Sequence, residues 1–252
     1  AVKAIPTYNI DGYFLTEQPT ETYAKGKQTK VPLLIGGNNQ EMSPWAVLAG
    51  KQPTVENLKA GAKAMFGDNV DEAFRLYGIN CDKDVLEQPG INLASDLFLD
   101  YSTWKWGNMH KLTSGQPVYR YRYCHPRPAM AVKGKVAALA GGVVDAKEGQ
   151  PQMPQDKGAV HSADIEYAMG TLPTNRVYDW QPEDYMVSDI FSQYYVNFVK
   201  TGNPNGLGLV EWPTTNGKAV APVLQIDVNT TVKTDEQMEK RYDFIDKIFT
   251  TK

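Results

Sequence analysis

The 252-residue sequence has no long basic run, and its net charge is −3, so nothing in it supports a nucleic-acid partner. No apolar stretch is long enough to span a bilayer. Only two cysteines occur, Cys81 and Cys124. They allow at most one internal disulfide and lack the close pairing of a metal site, so two ordinary thiols are the plainer reading. No basic segment leading into an apolar stretch opens the chain, and position 1 is Ala. Any signal peptide is therefore expected to have been removed already. None of the seven serines (43, 95, 102, 114, 162, 188 and 192) stands in a Gly-x-Ser-x-Gly elbow, the strained strand-to-helix turn that exposes a serine nucleophile. A glycine-rich loop of the kind that binds an oxyanion is missing as well. Histidine is scarce: His110, His125 and His161 are the only three.

What remains is an ordinary globular balance, 42% apolar and 22% charged. The length admits one large domain or two small ones. Residues 20–25 read as a helical turn or two, and residues 11–15 as a short extended piece after a turn. The run Val31-Pro32-Leu33-Leu34-Ile35, stopped by Gly36-Gly37, has the pattern of a strand buried on both faces. Thr54 can cap a helix over residues 55–66, stopped by Gly67. Asp68 or Asn69 can cap another over 70–77, stopped by Gly78. A longer helix is expected over 92–112. In residues 118–124 the tyrosines 119, 121 and 123 alternate with Arg120 and Arg122, the period-two signature of a strand. Residues 126–157 read as a long excursion rich in Pro, Gly, Ala and Lys. A helix over 183–199 carries the apolar stripe Met186, Ile190, Tyr194, Phe198. A strong turn cluster (201–206), a strand (223–228) and a terminal helix (234–249) complete an alternation that predicts an α/β layered fold. Asn229-Thr230-Thr231 is a glycosylation sequon, a triplet common by chance.

Acyl-transfer chemistry needs an attacking oxygen, a base to take its proton, and a carboxylate to fix the imidazole tautomer and stabilise the imidazolium. Histidine suits the base because it titrates near neutrality. His161 follows Gly158-Ala159 and precedes a helix-start signal, so a small-residue loop would present its ring. His125 enters a loop before Pro126. His110 lies near a helix end beside Lys111 and reads as a solvated or capping residue. Taken singly, a loop histidine or a carboxylate such as Glu41 is more often structural than catalytic.

The surroundings alter that balance. The segment from Val31 through Gly36-Gly37-Asn38-Asn39-Gln40-Glu41 resembles the acid segment of the type-B carboxylesterase family, which includes cholinesterases and bacterial aryl esterases. Asp11-Gly12-Tyr13-Phe14-Leu15 resembles the family's upstream Asp-Gly segment. Gly158-Ala159-x-His161-x-x-Asp164-Ile165-x-Tyr167 resembles its histidine motif, with Asp164 where a Glu is common. Asn197-Phe198-x-Lys200-Thr201-Gly202-Asn203-Pro204-Asn205-Gly206, followed by Trp212-Pro213, is similar to its C-terminal signature. The four matches fall in the family's order.

The resemblance implies the C-terminal portion of an α/β-hydrolase fold with a helical insert. Residues 1–252 would form the C-terminal part of one domain, 46–112 the insert, and the nucleophile-bearing part would be absent. It implies Glu41 as triad acid, His161 as triad base and Asp164 as a supporting residue. It further implies a small carboxylic ester as substrate, with no cofactor and no metal. The full-length protein would be a serine carboxylesterase and this chain alone inactive. Met42, Trp45, Trp104 and Trp106 are candidates for pocket lining; for Trp104 and Trp106 core packing is the stronger reading. The buried strand calls for a neighbour, either the N-terminal part of the same protein or a second copy. Family habit gives an extracytoplasmic expectation. A non-catalytic cholinesterase-like binding or adhesion module, and an unrelated α/β binding domain, are the rival readings.

Overall fold

The computed structural model describes residues 8–138, 142–147 and 158–250. In chain order its elements are α1 (Pro19–Ala24), β1 (Leu33–Asn38), α2 (Trp45–Leu48), α3 (Val55–Phe66), α4 (Val70–Tyr77), α5 (Gln88–Ser95), α6 (Tyr101–Ser114), β2 (Val118–Tyr123), β3 (Lys135–Ala137), β4 (Val143–Asp145), α7 (Ile165–Ala168), α8 (Pro182–Thr201), β5 (Val223–Ile226), β6 (Thr231–Lys233) and α9 (Glu236–Thr250). The main sheet runs β1-β2-β5-β6; β1, β2 and β5 are parallel and β6 closes antiparallel.

The alternation in β2 decides which helices cover which face. Tyr119, Tyr121 and Tyr123 enter an aromatic layer with Phe191, Tyr194 and Trp212, roofed by α7 and α8. Arg120 and Arg122 point to the other face, under α6 and α9. Buried guanidinium groups need counter-charges. Arg120 pairs with Glu239 at 3.2 Å, and Arg122 faces Asp100 at 4.0 Å. The same layer holds Arg241 on Asp96 at 2.9 Å, with Tyr77 donating to the same carboxylate. A second apolar core, built from Leu48, Leu58, Phe66, Phe74, Val85 and Leu93, is joined to the rest through Ile245 of α9.

Local signals placed several elements closely. Thr54 caps α3 by accepting the Asn57 N–H, and Gly78 and Gly115 end α4 and α6 in the left-handed conformation. Other expectations are corrected. The first strand begins at Leu33, and Val31 is half exposed. It lies at the edge of the described sheet, with Leu33 and Leu34 only partly buried. Residues 11–15 form a turn in which the Asp11 carboxylate accepts the N–H groups of Tyr13, Phe14 and Leu15. The helix expected over 92–112 is a longer helical path, α5 to α6, interrupted by a π-helical turn at Asp96–Asp100. On α8 the buried face centres on Val187, Phe191 and Tyr194, while Met186 is exposed. The excursion at 126–157 lies partly outside the described residues; its described part holds the β3–β4 hairpin.

Candidate active site

Three segments meet at the C-terminal end of β1. β1 ends in Gly36-Gly37-Asn38, and the chain then turns back so that Glu41 lies under the strand end, 4% exposed. Its Oε1 accepts the Asn38 N–H over 2.6 Å. Its Oε2 lies 2.5 Å from Nδ1 of His161. The carboxylate therefore meets the ring nitrogen that must carry a proton if Nε2 is to act as a base. Burial raises the affinity of Glu41 for its proton; the Asn38 N–H and His161 oppose that, and the nearby Asp164 charge reinforces it.

The histidine loop is laced to the acid loop by backbone and amide bonds. Gln40 and Val160 form a parallel bridge, with Gln40 N–H donating to the Ala159 carbonyl over 2.9 Å. Asn39 Oδ1 accepts the Ala159 N–H at 2.7 Å, and Asn38 Nδ2 donates to the Val160 carbonyl at 2.7 Å. Ser162 follows His161 with φ +64°, a left-handed conformation costly for a residue with a side chain. Arg127 Nη2 holds that turn by donating to the Ser162 carbonyl at 2.8 Å, and it also pairs with Glu166. The His161 side chain keeps 27% of its surface exposed, and Phe98 meets the ring edge-on at 5.2 Å between centroids.

Asp164 does not reach His161 directly in this network. Its Oδ1 accepts from Asn38 Nδ2 at 3.2 Å and its Oδ2 from the Tyr121 hydroxyl at 3.2 Å. It thus holds the residue that holds Glu41.

The other histidines lie elsewhere. His110 is buried, not solvated: Nε2 donates to the Val31 carbonyl at 2.8 Å, tying α6 to the approach of β1. The face of α6 that carries Gly107 and Ser114 turns inward, and that packing outweighs the neighbouring Lys111. His125 is clamped between Asp184 at 2.9 Å and Asp227 at 3.2 Å. Burial disfavours its charge, but the two aspartates outweigh that and raise its proton affinity. Trp104 is core, its Nε1 donating to Glu239; Trp106 is half exposed and bonds to the Tyr23 hydroxyl, so core packing fails for it. Trp45 is also exposed, and the Met42 N–H is tied to Ser95. Cys81 and Cys124 are unbridged. Among the described residues no cluster could hold a metal ion and no helix is long and apolar enough to cross a membrane.

Sequence reasoning missed Asn38, Phe98 and Asp100. Asn38 had a signal, a buried strand ending in an amide. Phe98 and Asp100 lie on the π turn, and a helical period does not announce that turn.

The model of the carboxylesterase family matches residues 1–245. Carboxylesterase 4A of Bos taurus is 26% identical over 88% of this chain and 38% of that protein. Fumonisin B1 esterase of Sphingopyxis macrogoltabida is 30% identical over 45% of this chain and 21% of that protein. A solved PNB esterase superposes with TM-score 0.62 at 20% identity, over 93% of this chain and 42% of that one. The chain thus spans well under half the length of these proteins. The structural likeness establishes the α/β-hydrolase fold.

Proposed function

Since the chain belongs to the carboxylesterase family, we propose that it is the C-terminal part of a serine carboxylic-ester hydrolase, contributing Glu41 and His161 as acid and base of a Ser-Glu-His triad. On this reading residues 1–252 are part of one hydrolase domain, 46–112 its helical insert, and the serine comes from a preceding segment of the same protein. The supporting observation is the hydrogen bond from buried Glu41 to the partly exposed His161 at the C-terminal end of a parallel strand, where open α/β sheets bind their ligands.

In the reaction so assigned, His161 Nε2 takes the proton of the attacking serine hydroxyl as its oxygen bonds to the ester carbonyl carbon. Glu41 stabilises the imidazolium that forms. The same proton then passes to the departing alcohol oxygen, leaving an acyl-enzyme that water hydrolyses by the same exchange. Asp164 supports this chemistry through Asn38 and Tyr121. Phe98 limits the tilt of the imidazole and forms an apolar wall beside it.

The test is aryl-ester turnover by the full-length protein. Glu41→Gln is expected to lower kcat by about 10⁴-fold, the scale of losing the acid of a serine triad, and His161→Gln by at least as much. Unchanged kcat in either variant would refute the assignment. The 252-residue chain by itself is expected to turn over no ester and to take up no organophosphate; stoichiometric labelling would place the nucleophile within it.

A further inference from the structure

Asp100 is a buried carboxylic acid beside the site, and nothing in the triad chemistry uses it. It ends the π turn that Asp96 begins, about one helical turn away. Gly37 explains how close it comes. A Cβ at position 37 would lie 3.0 Å from Asp100 Oδ1 and 3.0 Å from Glu41 Oε1, so two carboxyl groups crowd one point that only glycine leaves open.

The charged groups around Asp100 can be assigned element by element. Glu41 faces it from the β1 turn, Asp96 from its own turn, Arg120 and Arg122 from β2, and Arg241 and Tyr242 lie beyond on α9. Arg122 is the nearest cation, but its Nη2 stands 4.0 Å from Asp100 Oδ2. That same nitrogen also reaches the Asn39 carbonyl and Asn92 Oδ1, each at 3.4 Å. Arg122 is thus shared, and Asp100 Oδ2 accepts no hydrogen bond among the described residues. An ionised carboxylate so placed lacks the close partners that buried charge requires. Burial raises Asp100 to about 7; Arg122 and Arg120 oppose the rise, and Asp96 and Glu41 add to it. A cavity of about 20 Å³, lined by Gly37, Asp100, Thr103 and both arginines, is large enough for one water beside the carboxyl.

We propose that Asp100 is a positioning residue for the Glu41–His161 pair, a second carboxyl packed over Gly37 that adds or removes one negative charge behind the imidazole. The proposal rests on the triad reading above. With Asp100 neutral, one charge stands behind His161. With Asp100 ionised there are two, and the imidazolium formed when His161 takes the serine proton is favoured further. Glu41 and Asp100 then titrate as an interacting pair, not as independent groups.

Carboxyl ¹³C titration of the folded protein as purified, with any companion it carries, tests this. Glu41→Gln and Asp100→Asn assign the two carbons. The Glu41 carbon is expected to show two steps, one of them near pH 7, and Asp100→Asn to abolish that step. In the full-length enzyme the same variant should lose the corresponding inflection in the kcat profile and turn over several-fold more slowly above it. A Glu41 carbon with no step near pH 7 in the unsubstituted protein overturns the proposal, as does a step that survives Asp100→Asn. Arg122→Gln provides an independent arm: with the nearest cation gone the step should move to higher pH, and an unmoved step overturns the proposal. The low-field proton of the His161–Glu41 hydrogen bond reports separately on the underlying reading. Its survival in Glu41→Gln would refute the triad pair, and the Asp100 proposal with it.

Discussion

The backbone N–H of Asn38 donates to Glu41 Oε1, while the side-chain amide of the same residue donates to the Val160 carbonyl one residue before His161. Both loops of the site therefore converge on a single residue at the last position of β1. Asn38→Ala keeps the backbone bond but leaves the Val160 carbonyl and Asp164 without that donor. The Val160 carbonyl keeps the Ala163 N–H and Asp164 keeps the Tyr121 hydroxyl, so a loss of about 0.5–1.5 kcal/mol is expected, the net worth of a hydrogen bond, read from the denaturant midpoint at unchanged slope. In the full-length enzyme kcat should fall with KM little changed, because the loosened geometry concerns the acid and the base. Wild-type stability in Asn38→Ala would show that the amide contributes nothing to joining the loops.

The two titrating centres should leave separable marks on stability. His125 has a raised proton affinity in the fold. Its contribution is fully present below the unfolded imidazole pKa of about 6.5 and is lost as pH rises through the folded value. Asp100 is also raised, to about 7. For it the loss runs from the unfolded carboxylate range, about 3.9, up to 7, because across that window the folded state holds a proton the unfolded state has released. Urea unfolding across pH 4 to 9 is therefore expected to show two descending limbs. His125→Gln should flatten the upper one and Asp100→Asn reduce the lower, to which Glu41, also raised by burial, contributes the rest. Asp184 acts in the opposite sense: burial raises it, but His125, Tyr167 and the Gln181 N–H together lower it, so its contribution is lost as pH falls through the folded value. A single limb removed by neither substitution would refute both assignments.

How much of this was legible in the sequence depended on how local the cause was. Glu41 and His161 are legible as a pair only through the resemblance of their segments to the carboxylesterase family; taken singly each reads as structural, and the structure brings them within hydrogen-bonding distance. The face assignment of β2 was legible because a period of two needs only the strand itself. Three features depended on long-range packing. His110 is buried because α6 turns that face to the β1 approach, a preference Lys111 conceals. Asp11 closes a turn with its own side chain in place of an extended piece. The π turn at Asp96–Asp100 interrupts a helix whose composition reads as continuous, and Phe98, which meets His161, and Asp100, which approaches Gly37, both lie on it.

The glycine at the shared point makes a sharper test than either acid. Gly37→Ala would place a methyl 3.0 Å from both carboxyl oxygens, and neither oxygen belongs to a flexible side-chain end free to leave a buried site. The methyl must push one carboxyl aside, so Glu41 loses its alignment on His161 or Asp100 is forced outward. The low-field His161–Glu41 proton should weaken or vanish, and overpacking should cost about 1–3 kcal/mol. An undiminished low-field proton together with an unshifted Asp100 titration would mean that the site has room the structure does not show.

The last expectation concerns the sheet edge. β1 bonds to β2 along one side, and among the described residues no strand occupies the other. A parallel strand of this kind is ordinarily interior, since its neighbours in an α/β sheet cover both edges and both faces. Its exposed N–H and C=O groups would recruit another strand. The chain spans 38% of the bovine relative and 42% of the PNB esterase, so a strand from elsewhere in the same protein is the natural occupant, and a second copy the alternative. Sedimentation of the 252-residue chain at low concentration should therefore show self-association, and co-expression with the preceding segment should convert it to a one-to-one particle. Amide exchange provides the residue-level check. The N–H groups of Leu33 and Asn39 face β2, so those of Leu34 and Gly36 face the open edge and should exchange more slowly in the assembled form than in any monomer. A cooperative monomer whose β1 amides exchange freely at the edge, with no change on adding the companion, would mean that this chain is an independent domain and would remove the basis for assigning its serine to a preceding segment.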